Sequence, residues 1–220
     1  MGYQHQYIDG SMVGLPTGKV ICVGRNYADH AAELNNPIPT EPMLFIKPAS
    51  SVVDLAKPFS VPQGHGSVHF ETEMAILIGQ PLSHASEAEV EEAIIGVGVG
   101  LDLTLRDLQS QLKEKGHPWE KSKAFDGACP LSAFARPEVF PDLQDVDLRL
   151  TVNAEIRQQG NSRYMLNQVI PLISYSSEFF TLEPGDVVMT GTPAGVGPVV
   201  AGDQLKVELS DRIVVTTEAV

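Results

Sequence analysis

The stretch His69-Phe70-Glu71-Thr72-Glu73-Met74-Ala75-Ile76-Leu77-Ile78 carries two carboxylates two positions apart. In a strand that spacing sends Glu71 and Glu73 to one side, while Met74, Ile76 and Ile78 face the other. Two carboxylates on one face repel unless something positive lies between them. A divalent cation is the simplest such group, and ligation by oxygen alone suits Mg2+ or Mn2+ better than Zn2+. A half-exposed strand with a wet acidic side has the same pattern, so the pair by itself leaves both readings open.

A third acid, Asp102, ends the apolar run Ile94-Ile95-Gly96-Val97-Gly98-Val99-Gly100-Leu101. An acid just past a buried strand is well placed to join a metal site. If the next segment is helical from about Leu103, Asp102, Arg106 and Gln109 fall on one stripe, and Leu105, Leu108 and Leu112 form a neighbouring stripe that faces the core. Arg106 could grip a substrate carboxylate in bidentate fashion, or simply bridge to Asp102 or Asp107. Thr190-Gly191-Thr192-Pro193-Ala194-Gly195-Val196-Gly197 offers backbone N–H groups and the Thr192 hydroxyl. That is either a nest for an anionic oxygen or a plain Gly-rich turn. It lacks the Gly-Lys-Ser/Thr of a P-loop, so a carboxylate fits it better than a polyphosphate. Gly96, Gly98 and Gly100 do not match a dinucleotide fingerprint and read as a strand with close backbone approach. The acids Glu87, Glu89, Glu91 and Glu92 follow the capping-box pattern Ser86 to Glu89 and read as a solvated helix face.

The elements that must hold these residues are mainly strands. Dense Gly and Pro punctuation separates short Val-, Ile- and Leu-rich segments, predicting strands over Val20–Val23, Leu44–Ile46, Glu71–Ile78, Ile95–Leu101, Leu148–Val152, Val187–Thr190, Leu205–Leu209 and Ile213–Thr217. Helices are predicted after Ser86, from about Leu105 to Gly116, over Leu166–Phe180, and over Asn26–Leu34 with Asn26 as the N-cap. The Pro-rich piece from Pro37 to Pro48 reads as an ordered loop or lid.

The chain has 220 residues, with 28 acidic side chains against 15 Lys and Arg, a formal net charge of −13. Such a charge disfavours phosphate backbones and anionic lipid, and no basic stripe offsets it. The longest apolar run, Ala93 to Leu101, is far short of the ~20 residues of a membrane span. Cys22 and Cys129 form no C-x-x-C pair, so a reduced, cytoplasmic setting is expected. The expected partner is a small molecule, with no nucleic acid and no membrane.

Six motifs in order give the chain a family resemblance. They are Gly24-Arg25-Asn26-Tyr27-Ala28-Asp29-His30 with Glu33; Phe45-Ile46-Lys47-Pro48; His69 to Glu73; Asp102 to Gln109; Trp119 through Lys123 to Asp126; and Leu182 to Pro193. Together they resemble the fumarylacetoacetate hydrolase superfamily, in its short acylpyruvate-hydrolase-like branch. The resemblance implies an α+β, predominantly β fold, a roll of mixed sheets with a few short helices. It implies a short N-terminal segment over 1–18 and a catalytic domain over 19–220, usually in a homodimer. It implies that Glu71, Glu73 and Asp102 bind Mg2+ or Mn2+, and that His30, Glu33 and Lys123 are catalytic. Arg25, Lys47, Arg106, Gln109 and Thr192 then look like contacts to a 2-oxo acid substrate. The spacing of His30 and Glu33 agrees, since i and i+3 on a helix sets a carboxylate beside an imidazole.

The expected chemistry is hydrolytic C–C cleavage of an acylpyruvate through an enolate, with His30 and Glu33 activating water. The same site would also serve an oxaloacetate decarboxylase, or a keto-enol tautomerase or isomerase of the 2-hydroxyhepta-2,4-diene-1,7-dioate type. A metal-bound ligand sensor without turnover is the reading from another class. It leaves Lys123, Arg106, Gln109 and the dyad without a purpose.

Overall fold

The structure is a computed structural model that describes residues 2–34 and 36–220. In chain order the elements run β1 (Val20–Gly24), α1 (Ala28–Glu33), β2 (Met43–Lys47), β3 (Val52–Asp54), β4 (Val68–Phe70), β5 (Thr72–Ile78), α2 (Glu87–Ala93), β6 (Ile94–Leu101), β7 (Thr104–Leu105) and α3 (Arg106–Glu114). They continue with α4 (Glu120–Lys123), β8 (Cys129–Leu131), β9 (Asp147–Val152), β10 (Glu155–Asn161), α5 (Val169–Phe179), β11 (Val187–Met189), β12 (Gly197–Pro198), β13 (Gln204–Leu209) and β14 (Ile213–Glu218).

Seven strands form the central sheet in the order β2-β1-β11-β5-β6-β8-β3. A four-stranded sheet, β10-β9-β13-β14, and a three-stranded one, β12-β4-β7, complete the roll. The pairs β1–β11 and β3–β8 are parallel, and the remaining ladders are antiparallel. This is the mixed, mainly β architecture with short helices that the sequence implies. Among the described residues no helix is long and apolar enough to cross a membrane.

β5 is buried on both faces. Met74, Ile76 and Ile78 enter the larger core cluster, whereas Ala75 and Leu77 join Val20, Cys22, Leu131, Phe134 and Met189 on the other side. The alternation is as expected, but the acidic side of the strand is dry rather than wet. β6 packs unusually closely. A Cβ at Gly96 or Gly98 would come within 2.9 Å of Phe134, and one at Gly100 within 2.6 Å of Leu131. The glycines therefore set how deeply the neighbouring layer sits.

The first residues cover the second face of the central sheet, with Tyr3, Tyr7 and Val13 packed on its cluster. Phe134 N–H donates to the Gln6 carbonyl and Ile8 N–H donates to the Phe134 carbonyl, at 2.8 and 2.9 Å. His5 is buried, its Nε2 lying 2.9 Å from the Gly185 carbonyl. Burial holds the His5 imidazole below its ordinary pKa, against the raising influence of Gly185 and Asp186. A histidine with a depressed folded pKa contributes stability above its unfolded value of about 6.5, and that contribution is lost as pH falls through the folded pKa. His5→Gln is expected to flatten the acid decline of Tm between about pH 7 and 5. An unchanged slope in scanning calorimetry would refute the assignment.

Three local expectations are revised. α1 starts at Ala28 with Tyr27 as its N-cap. Asn26 is instead fully buried, donating through Nδ2 to the carbonyls of Thr190 and Asn167 at 2.8 and 2.9 Å. α3 starts at Arg106, so Asp102 lies before it, between β6 and β7. The Leu105, Leu108, Leu112 stripe breaks up as a consequence. Leu105 is buried in β7, Leu108 and Leu112 are half-buried, and the buried residue of the helix is Gln109. The capping box on α2 forms as expected, and Glu87, Glu89, Glu91 and Glu92 are exposed.

Candidate active site

β5 and β6 run antiparallel with Thr72 opposite Leu101 and Glu73 opposite Gly100. Glu71 falls between β4 and β5, and its carbonyl accepts the Asp102 N–H at 2.8 Å. That register brings the three acids to one point. Glu71, Glu73 and Asp102 are at most 5% exposed, and each offers an oxygen within 4.8 Å of the others.

Three cations face this cluster. Lys123 Nζ lies 2.8 Å from Glu71 Oε2 and 2.6 Å from Asp102 Oδ2. Arg106 pairs with Glu71 Oε1 and donates to Gln109 Oε1 at 2.7 Å. Lys47 Nζ lies 2.7 Å from Asp102 Oδ1. Burial alone would raise the Glu71 carboxyl, but Lys123 and Arg106 overcome it and hold the group well below the usual carboxylate range. Burial would likewise lower the Lys123 ammonium, and Asp102 with Glu71 pushes it up instead. Lys123 therefore stays charged.

Glu73 differs. Its Oε2 accepts the Gly191 N–H at 2.7 Å, and among the described residues no basic side chain pairs with it. Burial, then the charges of Asp102 and Glu71, push its carboxyl well above its ordinary value. A buried, unpaired carboxylate crowded by two others is a position that a divalent cation satisfies, and the all-oxygen donor set suits a hard ion. The residues present thus fit the metal that their types suggest.

The cavity over the triad is lined by His30, Glu71, Glu73, Arg106, Gln109 and Lys123, with Arg25 and Thr192 also on its wall. Lys47 is elsewhere. It is wholly buried behind the triad, holding Asp102 and reaching the carbonyls of Lys123, Ala128 and Leu103. From there it positions Asp102 and does not contact the cavity, contrary to the substrate-contact expectation. Arg106 likewise bridges to Glu71 rather than to Asp102 or Asp107.

α1 lies over the cavity. His30 is 5% exposed, with Nδ1 3.5 Å from Glu33 Oε2. Both Glu33 oxygens receive the Gly195 N–H at 3.1 Å, so the Gly-rich loop holds the dyad's carboxylate. Burial keeps the His30 imidazole below its ordinary pKa, although Glu71 and Glu33 act to raise it. It is therefore an unprotonated base near neutral pH.

Gln158, on β10, carries no catalytic signal in the sequence, yet it ties the site together. Its Oε1 accepts the Thr72 N–H, between the two glutamates, at 2.9 Å. Its Nε2 donates to Thr192 Oγ1 at 2.8 Å and to the Pro193 carbonyl at 2.9 Å. The Thr192 oxygen thus accepts from Gln158, while its own proton has only a long contact, 3.5 Å, to the Pro193 carbonyl. A register shift between Ile156 and Gln158 turns this side chain inward. Gln158→Leu strands a buried N–H and a carbonyl, each worth about 1–3 kcal/mol. At about 2–4 °C per kcal/mol, the two together are expected to lower Tm by roughly 4–24 °C. A Tm within ~2 °C of the parent would contradict this.

The fold and this cluster define a class, and sequence comparison agrees. A model of the fumarylacetoacetate (FAA) hydrolase C-terminal family matches residues 19–219, and the chain belongs to that family. It is 50% identical over 215 residues to the oxaloacetate tautomerase YcgM of Escherichia coli (strain K12), covering 97% of this chain and 98% of that protein. A putative fumarylacetoacetate hydrolase family protein from Yersinia pestis CO92 superimposes with a TM-score of 0.97 at 53% identity, over 99% of this chain and 100% of that one. The fumarylpyruvate hydrolase of Pseudomonas aeruginosa, in complex with Mn2+ and pyruvate, gives a TM-score of 0.92 at 34% identity, over 100% of this chain and 96% of that one.

Proposed function

We propose that this chain is a divalent-cation-dependent oxaloacetate tautomerase. One observation carries the reading: a buried, unprotonated imidazole on α1 and a charged ammonium, Lys123, serve the same small cavity. That is the equipment for moving a proton, and the half-identical relative is named for doing so with oxaloacetate.

A cation held by Glu71, Glu73 and Asp102, Mg2+ or Mn2+, would polarise the 2-oxo acid as a Lewis acid. In the keto-to-enol direction His30 takes a proton from C3, and the C–H electron pair moves into the C2–C3 bond. Negative charge then builds on the C2 oxygen, where Lys123 faces it. The His30 imidazolium gives the proton it took from C3 to that oxygen, which completes the enol and leaves the imidazole neutral again, and the reverse path restores the ketone. Glu33, fixed by Gly195, holds the imidazole in place and favours its charged form once the proton has moved. Thr192 donates its hydroxyl to a carboxylate oxygen, and Gln109 orients Arg106.

Hydrolysis of acylpyruvates, the first expectation from sequence, uses the same residues, and the similarity to the fumarylpyruvate hydrolase keeps it as the second reading. The test is ultraviolet decay of the enol of oxaloacetate, run beside acetylpyruvate and fumarylpyruvate with Mg2+ and with Mn2+. Faster catalysed decay of enol-oxaloacetate, abolished by EDTA, is expected. A higher kcat/KM for cleavage of either acylpyruvate overturns the proposal in favour of hydrolysis.

A further inference from the structure

We propose that Arg25 and Lys113 form a second anion subsite at the mouth of the cavity, which takes the distal carboxylate of a dicarboxylic 2-oxo acid. The inference rests on the 2-oxo acid reading above and names the part of the substrate that the triad cannot recognise.

α3 provides the scale. Arg106, Gln109 and Lys113 are spaced i, i+3 and i+7, so they share one face, and all three line the cavity. Arg106 ends at the metal-binding glutamate. Lys113 stands seven residues further along, about 10 Å at 1.5 Å per residue. One helix face thus carries a cation at the chemical centre and another at the entrance.

Arg25 meets Lys113 there, close enough for the two charges to act on each other. It follows β1 with a left-handed φ of 58°, which is uncommon for any residue other than Gly, Asn or Asp. That conformation brings the side chain to the cavity wall. Its hydrogen bond is a long one, 3.4 Å to the Pro37 carbonyl, while Lys113 Nζ lies 3.1 Å from the neutral Asn36 Oδ1. Neither has a carboxylate within 4.0 Å among the described residues. Ten of the fifteen basic side chains do.

In a chain of net charge −13, two cations left without acids on one cavity wall are ready for an anion from outside. Burial and the nearby charges of Arg25 and Arg106 lower the Lys113 ammonium, the strain that an incoming carboxylate relieves.

The single tryptophan, Trp119, also lines the cavity and reports binding by fluorescence whether or not turnover occurs. The Mg2+-loaded protein is titrated at fixed ionic strength with oxaloacetate and with 2-oxobutanoate, which has a methyl group where oxaloacetate has its distal carboxylate. Lys113→Gln and Arg25→Gln are each expected to weaken oxaloacetate about tenfold and 2-oxobutanoate less than about twofold. Lys115→Gln, an exposed charge outside the cavity, is expected to change the ratio of the two affinities by less than about twofold. Equal weakening of both ligands, or none, overturns the subsite. Selective weakening in a protein that fails to tautomerise oxaloacetate supports the subsite while removing the tautomerase reading. Turnover without selective weakening removes the subsite alone.

Discussion

Glu73→Gln is expected to abolish divalent-cation binding and, at the same time, to raise the Tm of the metal-free protein. The two effects share one cause. In the free protein the Glu73 carboxylate is dry and faces Asp102 and Glu71, so its charge is unfavourable, and burial with those neighbours already drives it towards the neutral form. Glutamine has the same shape, still accepts the Gly191 N–H, and removes the repulsion. Each kcal/mol relieved raises Tm by about 2–4 °C in a chain of this size. The cation, however, loses one of three charged ligands. A Lewis acid worth several kcal/mol at the transition state corresponds to a loss of activity of about a thousandfold. Calorimetric titration with Mn2+ and a thermal melt in EDTA read the two signs separately. Retained metal affinity, or a lower melting temperature in EDTA, would show that Glu73 is not a strained ligand.

His30→Ala is expected to slow tautomerisation by about 10²–10⁴-fold, the range for a lost general acid-base, while Mn2+ affinity stays within a factor of about two. The pH profile adds a sign that truncation alone lacks. Because burial depresses the imidazole pKa, the rate of the parent enzyme falls only as pH drops below the ordinary histidine value of about 6.5. Glu33 acts to raise that pKa, so Glu33→Gln moves the acid limb lower still and costs rate through lost orientation. A parent acid limb above about 6.5, or a His30→Ala rate within tenfold of the parent, refutes the assignment of His30 as the base.

The triad is only half legible in the sequence. Strand alternation puts Glu71 and Glu73 on one side and an apolar run leads to Asp102, but a wet acidic face has the same pattern, and the family resemblance is what joins the three acids in one metal site. The residues behind the triad are not legible. Lys47 ends an ordinary apolar strand, and nothing in Phe45-Ile46-Lys47-Pro48 distinguishes an ammonium held in the core by three carbonyls and Asp102 from one reaching substrate. Gln158 lies on an edge strand, Glu-Ile-Arg-Gln-Gln-Gly-Asn, whose polarity hides it as a strand and whose bulge decides which glutamine turns inward. Asn26 has an N-cap's composition, but its side chain spends its hydrogen bonds on residues more than 140 positions away. Such long-range partners leave no local trace. The choice between proton transfer and C–C cleavage is hidden for a related reason, since both use the same charged residues and differ in what the cavity wall admits.

The glycine ladder of β6 bears on how this protein tolerates change. Gly96, Gly98 and Gly100 sit against Phe134 and Leu131 with no room for a methyl group, and the strand ends one residue before Asp102. The packing error of an alanine at Gly100 would be transmitted lengthwise, displacing a ligand rather than opening a void. Such a position is buried, far from solvent and without any functional group, yet it would score in a mutational survey as part of the active site. Drift in the core of this enzyme is therefore constrained by coordination chemistry as well as by stability, at positions that contribute no atoms to the reaction.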